Sequence, residues 1–158
     1  MPLIEILTDL KREEELKNVI KREIVNNNEV MYIKEKNIEN IKNIKLETLV
    51  LNDKIENKEV IRKIISNSKY LIINIDNNPD LKEYVEKNKK IITYGYNSNS
   101  DITISSIEEE KSFLSLQRNI TSIAGKKIEM QEIKADVNCQ IDIYNIMIII
   151  ALTLLYAK

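Results

Sequence analysis

Leu3 to Leu7, Val30 to Ile33, Thr48 to Leu51, Tyr70 to Ile75 and Ile91 to Tyr94 are short, nearly unbroken apolar runs, each followed by polar or turn-forming residues. A strand with one wet face alternates apolar and polar residues. A strand covered on both faces does not, and such strands belong to parallel sheets sandwiched between helices. The segments between the runs carry helical spacing. Asp9 stands ready to cap a helix, with Glu13, Glu14 and Glu15 near its positive dipole end and Leu16, Val19, Ile20 and Ile24 on one face. Val60, Ile61, Ile64 and Ile65 make a second stripe. Asn78 and Pro79 read as a cap and first-turn proline for a third, with Leu81, Tyr84 and Val85 along it. The fold expected for the first hundred residues is therefore Rossmann-like α/β, with a mostly parallel sheet and flanking helices.

The pattern changes after Gly95. Ile102 and Ile104 alternate with polar residues, Phe113 to Leu116 reads as a strand, and Ala124-Gly125-Lys126 can turn a hairpin. From Ile133 to Ile141 the alternation is strict, with Ile133, Ala135, Val137, Cys139 and Ile141 facing one way. That is a half-buried, antiparallel strand, and Cys139 on its apolar face is a packed core thiol rather than a nucleophile. A final helix is expected from about Asp142. Ile143 to Ala157 is almost wholly apolar but falls short of the roughly 20 residues that span a bilayer, so it reads as a buried helix. One domain over residues 1–158 suits the length.

Composition removes whole classes of chemistry. The chain has no His and no Trp, one Cys, and Gly only at positions 95 and 125. There is no imidazole acid or base, no Cys-rich zinc site, no disulfide within the chain and no glycine-rich phosphate loop. Gly125-Lys126-Lys127 is not such a loop, because Ile120 stands where its first glycine belongs and Lys127 where Ser or Thr belongs. The formal net charge of −1 with interspersed signs argues against nucleic-acid binding. Lys87 to Lys90 reads as a solvated helix end. No signal peptide is evident at the start, and a lone thiol favours the cytoplasm. The abundance of Ile, Lys and Asn is read as AT-rich coding bias, which lowers the information in any single Lys or Asn.

Ligands of open α/β sheets bind beyond the carboxyl ends of the strands. Those ends carry Thr8 and Asp9, Asn52 and Asp53, Asp76 and Asn77, and Gly95 with Tyr96. Asp9, Asp53 and Asp76 are the candidate binding carboxylates, able to hold Mg²⁺ through water or to accept from a sugar or base. Against this, Asp and Asn are ordinary caps and turn residues, and Asn74 and Asn78 fit that role.

The run Tyr70-Leu-Ile-Ile-Asn-Ile-Asp76-Asn-Asn-Pro79, then Lys90-Ile-Ile-Thr-Tyr-Gly95, then Ser100-Asp101-Ile-Thr resembles the central domain of Mur ligases. In that family a strand ends in an Asn-x-Asp-Asp-Pro-like turn, and a later strand ends in Thr-Phe/Tyr-Gly. A β-rich region then leads to a His-Asn-x-x-Asn helix that helps hold the ATP adenine. The order and spacing match over about residues 46 to 157. The resemblance implies the fold, and it implies a nucleotide-contacting role for Asn145. It also implies altered chemistry: Asp9-Leu10-Lys11 stands where the family's phosphate loop belongs, Ile141 stands at its His and Asp142 at its first Asn. The magnesium-binding Glu has no counterpart, and the chain is too short for the family's two outer domains.

The first expectation is thus a non-catalytic binding or scaffold module with no cofactor, linked by association to cell-wall precursor metabolism. A protein partner or homodimer would cover the apolar terminal helix. The alternative is a small ATP- and Mg-dependent enzyme using Asp9, Asp53 and Asp76. Peripheral membrane attachment through the terminal helix is a third reading.

Overall fold

The structure is a computed structural model describing residues 3–85, 89–108, 111–135 and 141–158. In chain order, strand β1 (Leu3–Leu7) leads into helix α1 (Leu10–Val19), and a one-turn 3₁₀ helix (Arg22–Val25) precedes β2 (Glu29–Ile33). A second 3₁₀ segment (Glu35–Ile41) precedes β3 (Leu46–Leu51), and α2 (Lys58–Ser66) links it to β4 (Ser68–Asn74). A 3₁₀ turn (Leu81–Tyr84) comes before β5 (Lys90–Tyr94). Then follow β6 (Ile102–Ile107), β7 (Ser112–Leu116), the short pair β8 (Ile120–Thr121) and β9 (Lys127–Ile128), β10 (Gln131–Ala135) and α3 (Ile143–Leu155).

Eight strands form one sheet in the order β10-β7-β6-β5-β4-β3-β1-β2. From β2 to β6 every pairing is parallel, and β7 and β10 add antiparallel strands at the far side. The sheet is the mixed, doubly wound α/β type that the unbroken apolar runs predict. β6 touches β5 only through Tyr94 and Ile102, so it starts level with the end of β5 and runs on past it.

Both faces are covered. Ile4, Ile6, Val50, Ile72 and Ile92 pack under α1 and α3, while Leu7, Leu49, Leu51, Leu71 and Ile73 pack under α2 and the 35–41 segment. Alternate residues of each strand thus enter opposite cores, the reason the runs show no apolar–polar alternation, and the few polar residues within them, Glu5, Thr48, Asn74 and Thr93, are buried. The α3 helix buries Asn145, Ile146, Met147, Ile148, Ala151, Leu152 and Leu155. Its apolarity is satisfied by the chain's own sheet, and among the described residues no helix is long and apolar enough to cross a membrane.

Several elements differ from expectation. The first helix ends at Val19, and Ile24 lies in the 3₁₀ turn that follows. The chain reverses there to bring Val25 into the core, through left-handed backbone at Asn26 and Asn27 (φ 52° and 61°). β2 is an edge strand, not a buried one: Met31 is 46% exposed. The third helix is reduced to the 3₁₀ turn, with Val85 beyond it, and Asn78 does not cap it. Lys90 opens β5 and donates to the carbonyls of Thr121 and Ser122 instead of ending a helix; Lys87 lies outside the described residues. The hairpin turn at Gly125 (φ 90°) joins β8 and β9 as expected. The strand predicted over Ile133 to Ile141 is seen to Ala135; Val137 and Cys139 lie outside the described residues.

Candidate functional site

Because β2 and β3 lie on opposite sides of β1, the strand order reverses between β1 and β3. A doubly wound sheet opens its ligand crevice at the carboxyl ends of such a pair. The residues there are Thr8 and Asp9 after β1, and Asn52 and Asp53 after β3. All four predicted positions, Asp9, Asp53, Asp76 and Asn145, lie on this side of the sheet or on the helix that borders it.

Asp9 is the N-cap of α1. Its Oδ1 accepts from the Arg12 amide at 2.9 Å, and its Oδ2 pairs with Arg12 Nη1 at 2.7 Å. The other side of the same guanidinium meets Asp142, Nε to Oδ1 at 3.0 Å and Nη2 to Oδ2 at 3.2 Å. Asp142 is in turn the N-cap of α3, accepting from the Tyr144 amide at 3.0 Å. One arginine therefore bridges the capping carboxylates of two helices, and its guanidinium lies 5.5 Å from the centroid of the Tyr144 ring. Burial pushes the Asp9 carboxyl up, but the Arg12 amide and guanidinium outweigh it and hold the pKa below the usual value. Burial alone would lower the Arg12 pKa; the two carboxylates more than reverse that and raise it.

Asn145 sits one turn into α3 and is fully buried. Its Nδ2 donates to the Arg12 carbonyl at 3.2 Å and to Glu15 Oε1 at 2.7 Å, and the same Glu15 oxygen accepts the Asp142 amide at 2.9 Å. Asn145 thus ties α3 to α1. Its Oδ1 is the only buried side-chain polar atom without a partner among the described residues.

Asp76 follows β4. It accepts from the amides of Tyr96 (2.7 Å) and Asn97 (3.1 Å) and from the Tyr144 hydroxyl (2.9 Å). Its carboxylate presses on Gly95, where a Cβ would lie 2.6 Å from Oδ1. Gly95 also has φ 151°, so the loop after β5 needs glycine on both counts. Burial, followed by the Asp76 hydrogen bond, raises the Tyr144 hydroxyl to about 12.

Between these carboxylates the crevice floor is closed by side chains. Asn52 donates to Thr8 Oγ1 at 3.1 Å, while its Oδ1 accepts from Asn74 at 3.1 Å and from the Tyr94 hydroxyl at 2.7 Å. Asn77 donates to the Asn52 carbonyl at 2.7 Å. Asn78 donates to the Asp53 carbonyl at 2.8 Å and accepts the Ile55 amide at 3.1 Å. Asn74 makes the turn that was expected of it, accepting the amides of Asp76 and Asn77. Asp53 is half-buried, and burial with the Asp9 and Glu35 charges pushes its carboxyl up, against the opposing Arg12.

The structure brings Asp9 and Asp53 near each other across β1 and β3, and it links Asp76 to the same side through Tyr144. It does not gather them into a ligand set: among the described residues no three His, Cys, Asp or Glu side chains are placed to hold a metal ion. The cavity beside Arg12, lined by Asp9, Lys11, Glu15 and Asp142, measures about 130 Å³, below the roughly 300 Å³ at which small-molecule pockets begin. Arg12, Glu15 and Tyr144 escaped sequence reasoning. The Asp9–Arg12 spacing of one helical turn was the available signal for Arg12, while its long-range partner Asp142 had none. No protein-family model matches the chain, and no curated protein sequence matches it.

Proposed function

We propose that this chain is a non-catalytic binding or scaffold module, built on a Mur-ligase-like nucleotide-fold skeleton whose phosphate grip is replaced by the chain's own carboxylate. One observation carries the reading: Asp9 occupies the N-terminus of α1, and Arg12 is held between Asp9 and Asp142. A helix N-terminus at the end of β1 is where such folds receive a phosphate. Here the anion is covalently part of the protein. An incoming triphosphate would have to displace Asp9 and would meet Asp53, Glu35 and Asp142 as further like charges. Phosphoryl transfer depends on positioned cations and amides, and here the Arg12 guanidinium and amide are already engaged by Asp9 and Asp142.

Location in the cytoplasm, a protein partner and an association with cell-wall precursor metabolism belong to the same proposal. The lone thiol supports the first, and the quoted motifs from Tyr70 to Asn145 support the last. The test is a thermal-shift series with Mg-ATP and a UDP-sugar at millimolar concentration. The module reading expects no stabilisation by either. A ligand present at 100 times its Kd would add about 2.7 kcal/mol, so a clear rise in Tm would overturn the reading in favour of a nucleotide-dependent enzyme.

A further inference from the structure

We propose that the amino ends of β3, β4 and β5 form a lysine-built face that docks the protein peripherally on an anionic lipid bilayer. This goes beyond the binding-module reading. It uses none of the crevice residues, which lie at the opposite pole of the sheet.

Strand register builds the face. β3 and β4 begin level, with Leu46 beside Ser68, and β5 begins two residues further on, with Lys90 beside Tyr70. Lys45 precedes β3 and Lys69 is the second residue of β4, so both stand at this rim. Helix α2 ends here too, with Lys63 in its last turn. Two contacts bring in the β8–β9 hairpin. The Lys90 ammonium donates to the carbonyls of Thr121 and Ser122, and the Lys126 amide donates to Ser122 Oγ at 3.1 Å. Lys127 pairs with Thr121 across that hairpin. Lys90 is half-buried, and the other five lysines are exposed.

None of these six lysines forms an ion pair with a described residue. The unpaired acids beside them are Glu47, whose carboxylate is turned to Asn28 and Tyr156, and Glu129, two residues past Lys127. Glu39 is matched by Lys42 at 3.0 Å. Lysines thus outnumber uncompensated acids three to one. Toward β2 the signs mix, with Lys21, Arg22, Glu23 and Glu29, and that bounds the face. Charges interspersed along the chain are therefore sorted by the fold, since Asp9, Asp53, Asp76 and Asp142 stand at the other pole.

The side chains of this face suit lipid better than other polyanions. Its free cations are lysines, which are compact point charges. Arg118, beside Ile91, is already paired with Asp101, so the face offers no guanidinium fork for bidentate recognition. Tyr70 is the aromatic residue of this rim, and its ring lies 6.0 Å from the Lys90 ammonium, not open to a stacking base. The large apolar side chain exposed here is Ile44, 39% exposed in the turn between Lys42 and Lys45. Diffuse positive charge on a level rim, with one aliphatic group to enter the headgroup region, matches an anionic membrane surface. Helix α3 takes no part, because its apolar face is spent on its own sheet. Docked this way, the protein turns its crevice toward solvent.

The test is co-sedimentation of the full chain with vesicles of phosphatidylcholine alone, or with about one-third phosphatidylserine, at low salt. Binding is expected to the phosphatidylserine vesicles only, and it should be lost by about 0.5 M NaCl as the charges are screened. Each charge near such a surface changes binding about fivefold, so Lys69→Glu with Lys127→Glu should weaken it by ~100-fold or more. Lys36→Glu with Lys54→Glu makes the same change in net charge at the opposite pole and should weaken it by less than ~5-fold. The chain contains no Trp, so Ile44→Trp supplies a single indole. Its emission should move to shorter wavelength on the phosphatidylserine vesicles. Equal binding to both vesicle types, or to neither, overturns the proposal. So do equal losses in the two double variants, and so does an indole emission that vesicles leave unmoved. A single-stranded RNA oligonucleotide that binds where the vesicles do not would assign the face to nucleic acid and equally overturn it. None of these results bears on the nucleotide measurements, so the two readings fail separately.

Discussion

Asp9 and Glu5 are both carboxylates of the first strand and its end, and their surroundings push them in opposite directions. Asp9 is stabilised as an anion by Arg12, and replacing it with Ala removes a helix cap and one side of an ion pair. A loss of about 1–2 kcal/mol by denaturant titration is expected. Glu5 is 2% exposed between Met31 and Leu49 in register, and burial raises its pKa to about 7. Below about pH 4.5 it is protonated in both folded and unfolded chains. From there to about pH 7 the unfolded chain sheds the proton while the folded chain keeps it, so Glu5 makes stability fall as pH rises through that window. The cost should reach on the order of 2 kcal/mol above pH 7. Glu5→Gln should flatten this component, measured as the difference between the variant and the parent across pH 4 to 8. An identical pH profile for both would show that Glu5 ionises without penalty. Glu5 was not legible as buried from sequence, because an isolated acid in a five-residue run looks like a solvent-facing position.

At the scale of elements, the carboxyl-end loops are held by carboxylates acting as braces. Gly95→Ala would drive a methyl group into Asp76 and force an unfavourable φ. It should cost about 1–3 kcal/mol, seen as a lower denaturant midpoint. Asp142→Ala should remove the α3 cap and leave Arg12 half-paired, lowering stability by about 1–3 kcal/mol. Faster amide exchange in the first turn of α3 should accompany it. The strands were legible because apolar runs without alternation leave little choice of environment. Element ends were less so. Val19, Ile20 and Ile24 share helical spacing, yet the helix stops because Val25 must turn back into the core, a tertiary demand that local periodicity does not encode. Asn78 resembles a cap beside Pro79, but its amide is spent on the loop after β3, 25 residues away.

For the molecule as a whole, sequence order placed Asp9, Asp53 and Asp76 after the carboxyl ends of strands, where the structure has them, because that depends only on the strand–helix alternation. What it could not supply was the pairing of Arg12 with Asp142, a contact across 130 residues that converts loop carboxylates into fixed internal counter-ions. The reversal of strand order between β1 and β3 therefore creates a crevice, and the side chains around it largely satisfy one another, with Asn145 Oδ1 left unpartnered. The closure of that crevice is tested most directly by an NMR titration of the full chain with Mg-ATP, followed at the amides of residues 9–13, 53 and 142–145. Closure predicts no saturable shift at these amides up to millimolar nucleotide. Saturable shifts there, abolished by Arg12→Ala in a chain that remains folded, would contradict it.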